Sequence, residues 1–525
     1  MKKKQILTLF LTALLTGGML AGCGSQNAAE QSSTGGSASA SSTPTFKIAT
    51  VRWADWGEKY HEGFPDQSAK EDGIQIDWET ILNSDWGDKK AVTLAGSDLP
   101  DAFLGSNALS ESDIEQNKAS FLVLDDYVEK DMPNLKKILD SDPVMKNLAT
   151  SADGHIYGLP AKRPCRPVVG NQVFINKKWL DNLGLSMPTT FDEYLNVLKA
   201  FKEKDANGNG DPNDEIPYGK GYADPFYFFA LPFGTNIGAD GTYAMAIKDN
   251  APVFLPVTDS YKQGIEAMHK AYEAGLIDPE IFTEDDSMRD SKLMSKTPVI
   301  GSAAGWTTDS TFGANADQYV PLPALKGPDG KQYVASDPQH YNYSRYEFLV
   351  TNKCKDPDAL LKWIDGFYTE DASIQNYYGG FDKAVKKNSD GTYEVLKPDD
   401  DSSADTFAWV NSLRDFGPKY VGEDFNSKVK YESENGDASK LAVDKDFVQY
   451  AKPAFPNVSY TQEQLQNLAT LYTDISNYVD SSQADWVTKG GVDKGWDAYN
   501  KQLQSMGLDK FLEIQKDAYT KSGAK

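Results

Sequence analysis

The chain has 525 residues, enough at roughly 100–200 residues per domain for two or three domains with a substantial core. Fifty-three Lys and Arg against 77 Asp and Glu leave a formal charge of −24, while 40% hydrophobic and 12% aromatic residues exceed what a disordered acidic chain carries. Such a field repels polyanions, so nucleic acid is excluded as a partner, and the 10 Trp, 27 Tyr and 24 Phe point instead to stacking surfaces.

Lys2, Lys3 and Lys4 precede an apolar run from Ile6 to Leu20, followed by Leu20-Ala21-Gly22-Cys23. A basic start, a short apolar stretch and small residues before a cysteine form a bacterial lipoprotein signal, residues 1–22, cut so that the Cys23 thiol carries the lipid. A transmembrane helix needs about 20 apolar residues, and Thr12, Thr16, Gly17 and Gly18 interrupt this run. Residues 23–44 then form a lipidated, Ser/Gly/Ala/Thr-rich tether with a reach of roughly 25 Å. Cleavage removes three lysines and no acid, leaving −27 on the remainder. Two further thiols, Cys165 and Cys354, have no zinc spacing and are either free or joined in one long-range disulfide.

After the tether, Phe46, Ile48 and Thr50 alternate as a strand, and so do Ile74, Ile76 and Trp78. Thr190-x-x-Glu193 predicts a capped helix with Phe191, Tyr194, Leu195, Leu198 and Phe201 buried. Tyr261, Ile265, Met268 and Tyr272 repeat the stripe before Gly275 and Pro279, and Thr461-x-x-Gln464 opens a third helix carrying Leu465, Leu468, Tyr472, Ile475 and Val479. Short strands among capped helices indicate an α/β fold.

The segment Asp205-Ala206-Asn207-Gly208-Asn209-Gly210-Asp211-Pro212-Asn213-Asp214-Glu215 has the chemistry of a calcium loop. Oxygen side chains at Asp205, Asn207 and Asn209 converge on a hard cation, Gly210 permits the turn, Asp211 supplies a carbonyl, and Asp214 and Glu215 close the shell. The EF-hand pattern would place its last glutamate at 216, where this chain has Ile, so the loop is one residue short. An Asx-rich turn without metal is the alternative.

With the lipobox, four segments carry a family likeness: Gly96-Ser97-Asp98-Leu99-Pro100-Asp101-Ala102, Gly154-His155-Ile156-Tyr157-Gly158-Leu159-Pro160, Asn176-Lys177-Lys178-Trp179-Leu180 through Pro188-Thr189-Thr190, and Tyr272-Glu273-Ala274-Gly275-Leu276-Ile277-Asp278-Pro279. The chain resembles the extracellular solute-binding lipoproteins of bacterial ABC sugar importers, in the calcium-containing branch that includes alginate-oligosaccharide binding proteins. The resemblance implies a two-lobed, periplasmic-binding-protein-like α/β fold with discontinuous lobes and a multi-strand hinge. Carried onto this chain, the crossovers fall near Lys162–Val169, Pro298–Trp306 and Arg345–Asn352. One lobe then takes residues 45–163 plus 299–350 and the other 164–298 plus 351–525. A Cys165–Cys354 disulfide would staple that hinge.

A sugar offers flat C–H faces rimmed by hydroxyls, so its site wants aromatic platforms beside fixed polar groups. Trp53 and Trp56 after the first strand, Asp85 and Trp86 after the second, Trp306, Tyr343 and Tyr378 are the candidates. Arg163 and Arg166, with Lys162, either read a carboxylate on the ligand or pair with acids across the hinge. The expected function is capture of an oligosaccharide, neutral or singly acidic, for an ABC permease by a monomer anchored through lipid at the outer face of the cytoplasmic membrane. The alternatives are a surface glycan sensor or adhesin of the same fold, or a secreted glycoside hydrolase or lyase. The chain contains no P-loop, HExxH or GxSxG, and acid pairs such as Asp125-Asp126 carry no dyad signal in so acidic a protein.

Overall fold

The computed structural model describes residues 43–525 other than 97, 235, 239–242, 401, 433–435 and 524–525, so the signal segment, Cys23 and most of the tether lie outside the described residues. The strand Thr45–Arg52 pairs in parallel with Gln75–Leu82 on one side and Ala102–Leu104 on the other. Tyr343–Val350 runs antiparallel between Ala102–Leu104 and Gly158–Lys162, completing a five-stranded first sheet. Alternation along Thr45–Arg52 sends Phe46 and Ile48 into one core and Ala49 and Val51 into another, so helices cover both faces of the sheet. Four of its strands end at the same edge, which gathers the turns after Arg52, Leu104 and Lys162. In open α/β sheets that edge is where ligands bind.

A second sheet holds Gln172–Asn176 between Tyr319–Pro321 and Ser302–Gly305, both antiparallel to it. Helices Phe191–Glu203, Asp259–Glu273 and Gln462–Lys489 share its main core, built on Trp179, Phe201, Tyr261, Met268, Leu468 and Phe511. Both expected capping boxes are formed, at Thr190 with Glu193 and at Thr461 with Gln464.

These pairings correct the expected boundaries. Ser302–Gly305 is a strand of the second sheet, and Leu293, Ile300, Phe312 and Tyr319 pack on Phe174 of that sheet, so residues 299–321 do not belong with the first. Conversely Leu360, Leu361, Trp363, Phe367, Tyr368 and Leu413 pack on Phe46, Ile48 and Phe348, which puts residues 360–368 and Leu413 with the first sheet. The chain passes from Gly158–Lys162 of the first sheet to Gln172–Asn176 of the second, and it passes between them again near residues 335–343 and 447–460. These passages are laced together: Asp337 N donates to Val168 O (3.1 Å), Gly170 N to Ala335 O (3.2 Å) and Arg163 N to Asn342 O (2.6 Å). Ser336 Oγ donates to Lys452 O (2.6 Å) and accepts from Lys452 N (3.0 Å). The crossover expected near Arg345–Asn352 falls mostly on Tyr343–Val350, an interior strand with partners on both edges.

No disulfide joins the two described cysteines: Cys165 is buried, Cys354 half-buried, and both are free. Burial pushes their thiols up to about 12 and about 11, so neither is a ready nucleophile. In residues 24–525 under native conditions, a thiol reagent should label Cys354 slowly and leave Cys165 untouched, with two thiols per chain reacting after unfolding. Mass spectrometry of the labelled peptides checks this, and an unfolded, unreduced chain with no reactive thiol would contradict it.

Candidate functional site

At the edge of the first sheet the chain leaves Arg52 into a single turn, Ala54–Trp56, that ends at Gly57 with φ +62°. The turn presents Trp53 and Trp56 as a tilted pair with ring centres 4.4 Å apart. Trp409, on the helix Ala404–Asn411, stacks on Trp56 at 4.2 Å, and Phe416 lies parallel to Trp53 at 6.2 Å. Four rings from two distant segments thus form one surface, with Trp53 38% exposed. Trp409 and Phe416 were not among the expected residues. Trp409 reads as one more apolar residue of a helix, and only the turn chemistry of Phe416-Gly417-Pro418 hinted at a presented ring.

Phe416 is held from beneath by a carboxylate. Glu347 is fully buried in the strand Tyr343–Val350 and accepts from Ser106 N (3.0 Å), Gly417 N (2.7 Å) and Ser344 Oγ. Arg163 faces the same carboxylate at 3.5 Å and donates to the carbonyls of Asp415 (2.9 Å), Tyr341 and Tyr343 (both 3.3 Å). Arg166 pairs with Asp415, and its guanidinium carbon lies 5.8 Å from the centre of Trp306. Burial pushes the Asp415 carboxyl up, yet Arg166, Arg163, Arg414 and Lys419 together hold it below the usual range. Trp306, just beyond the strand Ser302–Gly305, meets the edge of Tyr341 at 5.4 Å and has Lys440 Nζ 4.8 Å from its centre. Gly170 permits this packing, because a Cβ there would sit 1.6 Å from the Tyr341 hydroxyl. The Arg166–Asp415 pair therefore joins the ring surface of the first sheet to Trp306 of the second. Two buried atoms of that pair, Asp415 Oδ1 and Arg166 Nε, have no hydrogen-bond partner.

Other expected residues fall elsewhere. Trp86 is a core residue: it packs on Phe103 and its indole N–H donates to Ala108 O at 2.5 Å. Tyr378 is fully buried and donates to Asp437 (2.6 Å), an acid that also receives Arg414 at 2.8 Å. Asp85 is exposed and paired with Lys89 at 3.1 Å, and Tyr343 is half-buried against Lys162, whose Nζ is bonded to Glu423 (2.6 Å). For Arg163 and Arg166, pairing with acids is what the fold does.

The loop 205–215 folds around its own amides. Asp205 accepts from Asn209 N (3.0 Å) and Gly210 N (2.9 Å), and Asn207 Oδ1 from Asn209 N (2.9 Å). Asp214 receives the side-chain amides of Asn207 (2.9 Å) and Asn209 (2.6 Å), while Asp211 accepts from Asn213 N (3.1 Å) and so turns to its own neighbour. Glu215 is buried; Oε1 accepts from Ala206 N (2.8 Å) and Asn207 N (3.3 Å), but Oε2 has no partner. Burial pushes the Glu215 carboxyl up. An orphaned buried carboxylate oxygen among amide oxygens fits a hard cation. Among the described residues no three His, Cys, Asp or Glu side chains already cluster as a metal site, so amide oxygens would have to supply part of the shell.

Residues 52–374 match the family described as bacterial extracellular solute-binding protein. The chain is 32% identical over 474 residues to the fructooligosaccharide ABC transporter substrate-binding protein FusA of Streptococcus pneumoniae serotype 4, covering 86% of this chain and 85% of that protein. Its fold is similar to a HMO-binding, ABC-transporter-associated solute-binding protein of Bifidobacterium longum infantis, with a TM-score of 0.78 and 27% identity over 91% of this chain and 98% of the other. It is also similar to an EF-hand mutant of FusA from S. pneumoniae in complex with fructo-nystose, with a TM-score of 0.74 and 29% identity over 91% of this chain and 99% of the other. The fold is that of the two-lobed binding proteins.

Two lysines lie buried beside the rings. Lys419 Nζ donates to Phe416 O (2.5 Å) and Gly417 O (2.7 Å), and Lys440 Nζ donates to Gly170 O. Burial lowers both to about 7, partly opposed by Glu347 for Lys419 and by Asp444 for Lys440. A base whose folded pKa lies below its unfolded value costs stability fully below the folded pKa, and that cost fades as pH rises toward the unfolded value near 10.5. Melting temperature should therefore rise between pH 7 and 9, and Lys440→Met should flatten the rise. Calorimetric scans across that range test it, and a wild-type curve that falls from pH 7 to 9 would overturn the assignment.

Proposed function

We propose, from the premise that this chain belongs to the bacterial extracellular solute-binding protein family, that it is the substrate-binding component of a carbohydrate ABC importer and captures a neutral oligosaccharide at the rings of Trp53, Trp409, Phe416 and Trp306. The observation that carries this reading is the pairing of those rings with the unpartnered Asp415 Oδ1 and Arg166 Nε. A C–H face of a sugar stacks on an indole, and a sugar hydroxyl can donate to a carboxylate while accepting from a guanidinium. Leaving those buried atoms unpaired costs roughly 1–3 kcal/mol each, which the correct hydroxyl pattern recovers and a wrong one does not.

Charge argues for a neutral ligand. Arg166 is committed to Asp415, Arg163 to Glu347, Arg414 to Asp405 and Asp437, and Lys162 to Glu423. To reach any of these four cations a carboxylate on the sugar would have to displace their acids, within a protein of net charge −24. A fructo-oligosaccharide, the substrate class of the relative FusA, fits this chemistry.

Ligand touching both lobes favours the closed arrangement, and closure is the signal a permease can read. No reacting group is required, and no bond of the sugar changes. Cys23 anchors the body at the outer face of the membrane, and the loop 205–215 takes a structural calcium ion, with Asp205, Asn207, Asn209, Asp214 and Glu215 as side-chain ligands and the Asp211 carbonyl as a further one.

Titration calorimetry of residues 24–525 should give saturable binding of kestose and none of an oligogalacturonate of similar length, with no product formed. Trp306→Ala should weaken kestose binding about 30-fold. No heat or melting shift across a panel of neutral oligosaccharides, with folded protein, would refute the reading. Calcium should separately raise the ligand-free melting temperature, a shift that Glu215→Gln abolishes.

A further inference from the structure

Arg52 is anomalous. It is the last residue of the first strand, 1% exposed, in a chain with 77 acids, yet among the described residues no carboxylate is paired with it. Its guanidinium donates instead to Trp409 O (2.5 Å) and Ser412 O (3.5 Å), and its Nε has no partner. The remaining contacts are aromatic: the guanidinium carbon lies 4.6 Å from the centre of Tyr60 and 5.2 Å from that of Trp56. Burial lowers its pKa only to about 10, so it stays charged at neutral pH. A buried charge without a counterion is costly, and a hydrophobic side chain of similar length would be expected to stabilise the site.

We infer that Arg52 is a positioning residue for carbohydrate binding, fixing the Trp56–Trp409 stack on which the platform is built. One side chain addresses both members of the stack, Trp56 through its π face and Trp409 through its main-chain carbonyl. Cation–π attraction at a desolvated site is strong enough to orient an indole, and the planar fork reaches two carbonyls that a lysine ammonium cannot span together. Trp53 packs on Trp56, and Phe416 lies 6.1 Å from it, so a rotated Trp56 would disturb every ring of the surface. Asp55, the nearest acid in sequence, is exposed and leaves the guanidinium to the rings.

The inference rests on the rings being the sugar platform, and two readouts separate its failure from that reading's. Arg52→Met and Arg52→Lys are made in residues 24–525. In Arg52→Met the near-ultraviolet circular dichroism of the stacked indoles should be lost, and kestose affinity should fall about ten- to thirty-fold. The ligand-free melting temperature should hold or rise, because an uncompensated buried charge has gone. Arg52→Lys, keeping the charge with one fewer arm, should recover part of both signals. A lowered melting temperature with unchanged kestose affinity would mean a purely structural role and overturn the inference, as would a wild-type near-ultraviolet spectrum in folded Arg52→Met. If wild-type protein ignores kestose, the platform reading fails for that sugar and the spectrum alone decides Arg52.

Discussion

One buried carboxylate ties the site together. Glu347 sits where the register of its strand shifts, just before the paired residues Phe348–Val350, and its carbonyl accepts from Gly105 N (2.8 Å). Its two oxygens collect the backbone of the turn after Leu104, the backbone beside Phe416 and the Arg163 guanidinium. Such an ion pair contributes little net stability once desolvation is counted, but removing either partner would leave an uncompensated buried charge. The presented ring of Phe416 and the first passage between lobes are therefore set by the same group.

The contrast between exterior and interior charge follows from this. The surface is acidic, yet the space beneath the rings is rich in cations: Arg52, Arg163, Arg166, Arg414, Lys419 and Lys440. Three of the arginines are neutralised by acids, while Arg52 and both lysines lean on carbonyls and rings. Cations on the ring faces and edges orient indoles that would otherwise pack by area alone. The acidic exterior repels polyanions, while beneath the rings Arg163, Arg166 and Arg414 are held by acids.

Legibility in the sequence followed the range of the interaction. The capped helices at Thr190 and Thr461 and the strand through Phe46 and Ile48 were readable because their signals lie within a few residues. That Trp53 and Trp56 stand on a turn after the first strand was readable from where the alternation ends at Arg52. Trp86 and Tyr378 were not: an indole N–H meeting Ala108 O and a phenol meeting Asp437 are long-range contacts that turn loop-like aromatics into core. The lobe boundaries erred for the same reason, since neither Ser302–Gly305 nor Tyr343–Val350 shows which sheet it joins until its partners are known.

By itself, then, the amino-acid order determined the α/β character, the acidic exterior, the helix caps and the oxygen-rich loop at 205–215, all matters of composition and local spacing, while the family followed from the resemblance its four segments carry. Tertiary structure alone decided which strands share a sheet, where the three passages run, and that Trp409 and Phe416 stand beside Trp53. It also decided that Arg52 faces rings rather than an acid. These outcomes depend on contacts between residues hundreds of positions apart, where packing geometry, absent from any local pattern, selects the partner.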